Sequence, residues 1–307
     1  MLKVCSRCCR YRKPDQNRTI RRMAGQKRKS VDRVHAVPSC VHGVDFSGAA
    51  DAGKRIWIAS GVVSSGGLRI EQCRPARELP DSGRGRDQAL AALRGFLGTQ
   101  GSCAVGLDFP FSIPAELIQP PAKSWEVFAR SFATAYPNPV VFRSRCRAAG
   151  AGRELRRVTD YQTRTPFSAY NLRLYRQTYF GIRDLLAPLV ADGSVCVLPM
   201  QRPRPGRAWL LEICPASTLK RQDLYRSYKG RSDRHRSARE RIVQALEETE
   251  AVSFAATAVR SVVLKNAGGD ALDSVVAAFA TWRALGHPST LRAAPNSPYA
   301  LQGRVYV

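Results

Sequence analysis

The sequence predicts an α/β fold: a mixed five-stranded sheet, three antiparallel strands followed by parallel ones, flanked by helices and carrying helical insertions. Three observations lead there. Three short β-favouring runs, VHGVDF, RIWIASGVV and GLRIEQCR, follow one another with only Gly-rich or Ser-Gly turns between them, which reads as an antiparallel meander. Helical and strand-like segments then alternate along the rest of the chain. Among them the apolar run SCAVGLDF lacks polar/apolar alternation and suits a central strand covered on both faces.

In chain order, residues 1–38 form a basic extension without apolar periodicity, expected to be disordered. Met23 within it offers an alternative translation start. Cys5 and Cys8 make a C-x-x-C with Cys9 adjacent, and only Cys40 and His42 come within reach to complete a zinc knuckle; a lone pair is a weak metal signal. Residues 39–307 are expected to form the folded domain. After the meander, DQALAALRGFLG repeats apolar residues at Ala89, Leu90, Leu93, Phe96 and Leu97, a helical face that ends at Gly98. SCAVGLDF is stopped by Pro110 and Pro114. Residues 114–170 mix short helical patterns with Pro, Arg and Gly, as an insertion over the sheet edge would. NLRLYRQTYFGIRDLLAPLV reads as an amphipathic helix with Leu172, Tyr175, Tyr179, Ile182 and Leu186 on one side. VCVLPM and RAWLLEIC are further strand candidates. Residues 215–255 hold a second insertion, strongly basic, that leads into a helix through RERIVQALEE. GGDALDSVVAAFATWRAL is a helix, and YALQGRVYV closes as a last short strand. Three strands, helix, strand, helix, strand, helix is the order of the ribonuclease H-like fold.

Lys and Arg number 49 against 24 Asp and Glu, a formal net charge of +25. Such an excess attracts polyanions, nucleic acid first and anionic membrane surface second, although GC-rich coding inflates arginine in the same way. No run approaches the roughly 18 apolar residues of a membrane span, and the N-terminus lacks the apolar centre of a secretory signal. Nine scattered cysteines read as reduced thiols rather than a disulfide framework, so the expected compartment is the cytoplasm.

Against this basic background five acids stand out. Asp45 ends the first strand, and Asp108 ends the strand SCAVGLDF. Glu212 sits inside the apolar strand WLLEICP, and Asp270 and Asp273 open the last long helix at i and i+3, on one face. Two divalent cations about 3.5–4 Å apart can activate a water and stabilise the leaving oxygen of a phosphodiester. Mg²⁺ or Mn²⁺ takes oxygen ligands, so carboxylates must supply them. Gathered without a cation, carboxylates repel and raise one another's pKa. Each acid also has a plainer explanation. Asp45 and Asp108 could be turn residues, and Asp270 could be an N-cap with Asp273 near the N3 position of a capping box. Glu212 is the hardest to dismiss, because an unpaired carboxylate in a strand core is costly.

The segments GVDFSGA, GLDFPFSIP, LEICPAS and GGDALDSVVAAFA resemble successive motifs of the domain of unknown function 429 family, described as predicted nucleases with a ribonuclease H-like fold. NLRLYRQTYFGI and the ending GRVYV are similar as well. The resemblance runs over residues 41–307 and is loose between 114 and 170; Phe109 departs from the family's small aliphatic residue. It implies that Asp45, Asp108, Glu212, Asp270 and Asp273 are catalytic, with Asp45, Asp108, Glu212 and Asp273 on the metal.

The expected function is therefore a nuclease that hydrolyses nucleic acid with Mg²⁺ or Mn²⁺ held by carboxylates. Arg143, Arg145, Arg147, Arg153, Arg156 and Arg157 form one basic run, and Arg231, Arg234, Arg236 and Arg239 another, that could hold phosphates or serve as solvated loops. Two alternatives stay open. A phosphotransferase or nucleotide hydrolase of the actin and sugar-kinase type shares the strand order and would use the Gly and Ser residues of VDFSGAADAG on phosphate. A non-catalytic nucleic-acid-binding protein would use the arginines alone.

Overall fold

The computed structural model describes residues 37–64, 67–118, 120–249 and 251–307. The expected basic extension, with its Cys5 and Cys8 pair, lies outside the described residues apart from Val37 and Pro38.

Strands β1 (Cys40–Asp45), β2 (Trp57–Ser64) and β3 (Gly67–Pro75) form the expected meander, with the short helix α1 (Ala52–Arg55) at the first turn. Helix α2 (Arg86–Gly98) then leads to β4 (Cys103–Leu107), which pairs parallel with β1. Helices α3 (Trp125–Ala135), α4 (Pro139–Ala149) and α5 (Val158–Gln162) occupy the 114–170 segment. Ser124 caps α3 and Asn138 caps α4, each accepting N–H donors of its helix's first turn. Next, α6 (Tyr175–Phe180), a π-helical segment (Gly181–Leu186) and α7 (Ala187–Ala191) run on from one another. The expected amphipathic face holds for Tyr179, Ile182 and Leu186, which are buried, but Leu172 precedes the helix and is exposed.

The sheet is larger than the five strands expected. Among the described residues it has eight, in the order β5-β6-β4-β1-β2-β3-β7, where β5 is Val195–Leu198, β6 Ala208–Ile213 and β7 Val252–Phe254; β8 (Val305–Tyr306) pairs with the end of β6. Only the meander is antiparallel; every other pairing is parallel. Between β6 and β7 come α8 (Pro215–Arg221) and α9 (Asp233–Glu248). After β7 come α10 (Thr257–Lys265), α11 (Asp270–Leu285) and α12 (Tyr299–Gln302).

Helices cover both faces. On one, Leu90, Leu93 and Leu97 of α2 join Trp125, Phe132, Phe142 and Tyr179 in a single apolar cluster against Val44, Val105 and Leu210. On the other, α11 lies on β1 to β4, and Val275 and Phe279 pack with Val41, Leu211 and Ile242. Close approach there requires glycine: a Cβ on Gly43 of β1 would collide with the backbone of Ser274 and Ala278 in α11. Since side chains alternate along a strand, Val41, Gly43 and Asp45 turn toward α11 and His42 and Val44 toward α2. In β6 the parity is reversed: Trp209, Leu211 and Ile213 join the α11 side, so Glu212 turns to the other face.

Candidate functional site

Four of the five acids gather where the parallel strands end and α11 begins. Asp45 is the last residue of β1 and nearly buried. Asp108 follows β4; its N–H donates to Val44 O at 3.0 Å, and its own carbonyl accepts from Gln177 Nε2. This backbone tie brings the two strand ends, and hence the two aspartates, together. Asp273, 2% exposed, accepts from the Tyr228 hydroxyl and forms an ion pair with Lys229, Nζ to Oδ2 2.5 Å. Asp270 lies one helical turn before it, half-buried.

The capping explanation for Asp270 and Asp273 does not hold. Gly269 takes the N-cap position with φ 83°, Asp270 is the first helical residue, and neither a side-chain cap nor a capping box forms. Glycine suits that left-handed backbone, and a Cβ there would press on the Tyr228 ring and the Lys229 side chain. With capping gone, the crowding of these carboxylates is offset locally by Lys229 and the Tyr228 hydroxyl.

The crowding still appears in their acidities. Burial, then the charges of Asp273 and Asp108, push Asp45 well above the usual carboxylate range. Burial and then Asp273 push Asp108 up to about 8, and burial raises Asp270 despite Lys229 nearby. Burial alone would depress the Lys229 ammonium, but Asp273, Asp45 and Asp108 outweigh it and hold the lysine protonated. Tyr228 is raised by burial and by Asp273, which keeps its hydroxyl a donor. Lys229, with Arg55 acting on Asp270, thus faces a set of acids that together call for more positive charge.

Glu212 lines the same cleft, and its charge helps to raise Asp108, but it is already paired. Its parity in β6 turns it to the opposite face, where Arg157 donates to both of its oxygens (Nη1–Oε2 2.7 Å, Nη2–Oε1 2.5 Å) and Phe111 N–H donates to Oε2 at 3.0 Å. Arg157 also reaches Asp160 through Nε and Nη2 and the Gln302 carbonyl through Nη1, so all five of its donors are used while it is 1% exposed. Burial raises the pKa of Glu212 and the Arg157 charge opposes that. Glu212 is therefore half of a buried ion pair that ties β6 to α5, with its oxygens occupied by donors. Arg157, expected on phosphate, is likewise a structural cation.

The remaining expected arginines do not line the acid cleft. Arg143 lies over the Tyr175 ring, Arg145 donates to Ala135 O, and Arg147 reaches the Gly152 carbonyl. Arg153 is exposed, and Arg156 is held by the carbonyls of Thr165 and Pro166. Arg231, Arg236 and Arg239 line a separate groove with Arg260, and Arg234 is exposed on α9. Arg239 is itself buried and donates to the carbonyls of Leu264, Tyr228 and Gly230, holding the loop that presents Lys229. The acid cleft, about 560 Å³, has a different set of cations at its edge: Arg55, Arg173, Lys220 and Arg226, all exposed. Density of basic residues points to Lys220, Arg226 and Lys229 only as members of the basic 215–255 segment, and it does not point to Arg55 or Arg173, which join them from elsewhere in the sequence.

At the other end of the same strands, Cys40, His42 and Cys103 bring one donor atom each within 4.8 Å of one another. This group could hold a metal ion, and it is a thiolate and imidazole set unlike the carboxylate set expected for Mg²⁺ or Mn²⁺. Among the described residues no helix is long and apolar enough to cross a membrane. A scan against protein-family models matched no family, and neither the curated proteins nor the solved structures gave a match.

Proposed function

We propose that this chain is a metal-dependent nuclease on a ribonuclease H-like sheet. The observation that carries the reading is the meeting of Asp45, Asp108, Asp270 and Asp273 in one cleft, at the carboxyl ends of parallel strands, where ligands of open α/β sheets bind. The fold supports it: within the eight strands the run β3-β2-β1-β4-β6 has three antiparallel strands followed by two parallel ones. The motif resemblance to the domain of unknown function 429 family belongs to the same proposal.

The donor set fits Mg²⁺ or Mn²⁺. It consists of hard carboxylate oxygens, and the pKa values of Asp45 and Asp108, raised by burial first and by neighbouring carboxylates second, are those of buried acids that a cation would ionise. Asp45, Asp108 and Asp273 would hold the ion, with Asp270 beside them; Glu212 is left out because Arg157 occupies it. Bound there, the ion supplies an activated water and charge stabilisation for the leaving oxygen. The chain's own groups do the rest. Arg55, Arg173, Lys220 and Arg226 orient the phosphate backbone over the acids. Tyr228 donates to Asp273 Oδ1 and leaves Oδ2 to Lys229. Lys229 neutralises the acids when no other cation does.

The test is hydrolysis of structured and single-stranded DNA and RNA with and without Mg²⁺ or Mn²⁺. Metal-dependent cleavage that disappears in Asp45→Asn and in Asp108→Asn supports the proposal. Cleavage that survives both substitutions, or binding to nucleic acid with no cleavage under any metal, overturns it.

A further inference from the structure

Cys40 and Cys103 sit side by side at the amino-terminal ends of β1 and β4, paired in register. His42 points to the same face two residues on, stacked edge-on against Phe96 of α2. The location is roughly 17 Å from Asp45 at about 3.3 Å per strand residue, so the group is independent of the acid cleft. It is also independent of the nuclease reading. His42 is buried, Cys103 nearly so and Cys40 half-buried.

We propose that Cys40, His42 and Cys103 form a zinc-type site that ties the start of β1 to the start of β4. Its geometry is close to what such an ion needs. A tetrahedral ion with Zn–S near 2.3 Å and Zn–N near 2.05 Å separates the two donors by about 3.6 Å; Cys40 Sγ and His42 Nε2 are 3.4 Å apart. The other ring nitrogen, Nδ1, lies 2.9 Å from Ser60 Oγ, the outer partner that fixes the ring and leaves Nε2 to face the sulfurs. Gln100 Oε1 accepts from His42 Nε2–H at 2.9 Å, a hydrogen bond that an ion on Nε2 would replace while keeping this oxygen beside the shell, and the Gln100 amide nitrogen is anchored on Phe96 O at 2.8 Å. Two thiolates and an imidazole select zinc over magnesium or calcium. Two thiolate charges balance a divalent ion, which makes its burial affordable. Binding releases the two thiol protons and sets His42 in the Nδ1–H tautomer, donating to Ser60.

Cobalt(II) serves as a spectroscopic probe, in a Cys5→Ser, Cys8→Ser, Cys9→Ser background so that the extension's thiols do not contribute. One equivalent should produce a thiolate-to-cobalt charge-transfer band that zinc displaces, absent from Cys103→Ser and weakened in His42→Ala. In the same reduced background, peptide mapping after alkylation should find Cys40 at least tenfold less reactive with one equivalent of zinc. Saturating zinc should raise Tm by roughly 5–10 °C. Absence of the band, a band that survives Cys103→Ser, unchanged alkylation of Cys40, or a Cys40–Cys103 disulfide that persists under reductant would each overturn the proposal.

Discussion

Lys229 Nζ lies 2.5 Å from Asp273 Oδ2, and the two partners differ sharply in exposure: the lysine side chain is 55% exposed and the aspartate 3%. A solvent-reaching cation is thus docked on a buried acid in the middle of an acidic cleft. Removing it, as in Lys229→Met, leaves Asp273 with the Tyr228 hydroxyl alone. The metal-free protein should lose about 1–3 kcal/mol, the range for a buried acceptor that loses a hydrogen-bond partner, because Tyr228 still donates to Asp273. The affinity for Mn²⁺ should rise, because the ion no longer displaces an ammonium. Denaturant melts and metal titration check both; a variant with weaker Mn²⁺ binding would mean that Lys229 assists the metal rather than standing in for it.

The two kinds of buried acid should separate under substitution. Arg157→Met removes the partner of Glu212 and Asp160 at once, and breaking a buried pair costs about 3–5 kcal/mol. Glu212→Gln should also destabilise while leaving Mn²⁺ affinity within about twofold, an outcome of the 1–3 kcal/mol class in stability alone. Asp108→Asn should do the reverse and weaken Mn²⁺ binding at least tenfold with stability maintained. Calorimetric titration beside urea melts reads both axes.

Much of this division was hidden in the sequence for a physical reason. A strand covered on both faces is apolar on both, so RAWLLEIC carries no alternation to show that Glu212 and Leu211 face opposite ways. The meander, α2, β4 and α11 are legible because their turns and periodicities are local. Strand β7 is not: it has three residues, VSF, and exists because β3 offers it an edge. Asp45, Asp108, Asp270 and Asp273 could be selected as acids at element ends. Their cationic counterpart Lys229 could not, since its place depends on Arg239 holding the loop through Tyr228 O and Gly230 O. Arg157 looks like its basic neighbours in the sequence; only Asp160 three residues later, whose carboxylate accepts from the Arg157 backbone N–H, hints that it turns inward.

Stability should depend on pH through Asp108. Its pKa in the folded protein is about 8 against an ordinary value of 3.8, so between those limits the folded state binds the extra proton. Stability that is present at low pH is therefore lost as pH rises through this window. The Tm of Asp108→Asn relative to the unsubstituted protein should climb steadily from pH 5 to pH 8 in chelator, and the climb should vanish in saturating Mg²⁺, which favours the ionised acid. A Tm difference that is flat in pH without metal would show that Asp108 is ionised throughout.

Phosphate contacts should belong to the cleft edge and not to the dense basic runs. Arg55, Arg173, Lys220 and Arg226 reach solvent around the acids, whereas Arg145 and Arg147 lie on α4 outside that cleft. Each lost phosphate contact lowers the slope of log K against log salt by about 0.7 on single strands and about 0.9 on duplex. Lys220→Gln with Arg226→Gln should therefore reduce the slope by about 1.4 on single strands, while Arg145→Gln with Arg147→Gln should leave it unchanged. Fluorescence anisotropy across a salt series, in chelator so that nothing is cleaved, measures both. The opposite pattern would move the nucleic acid off the cleft and onto α4, whose residues do not line it.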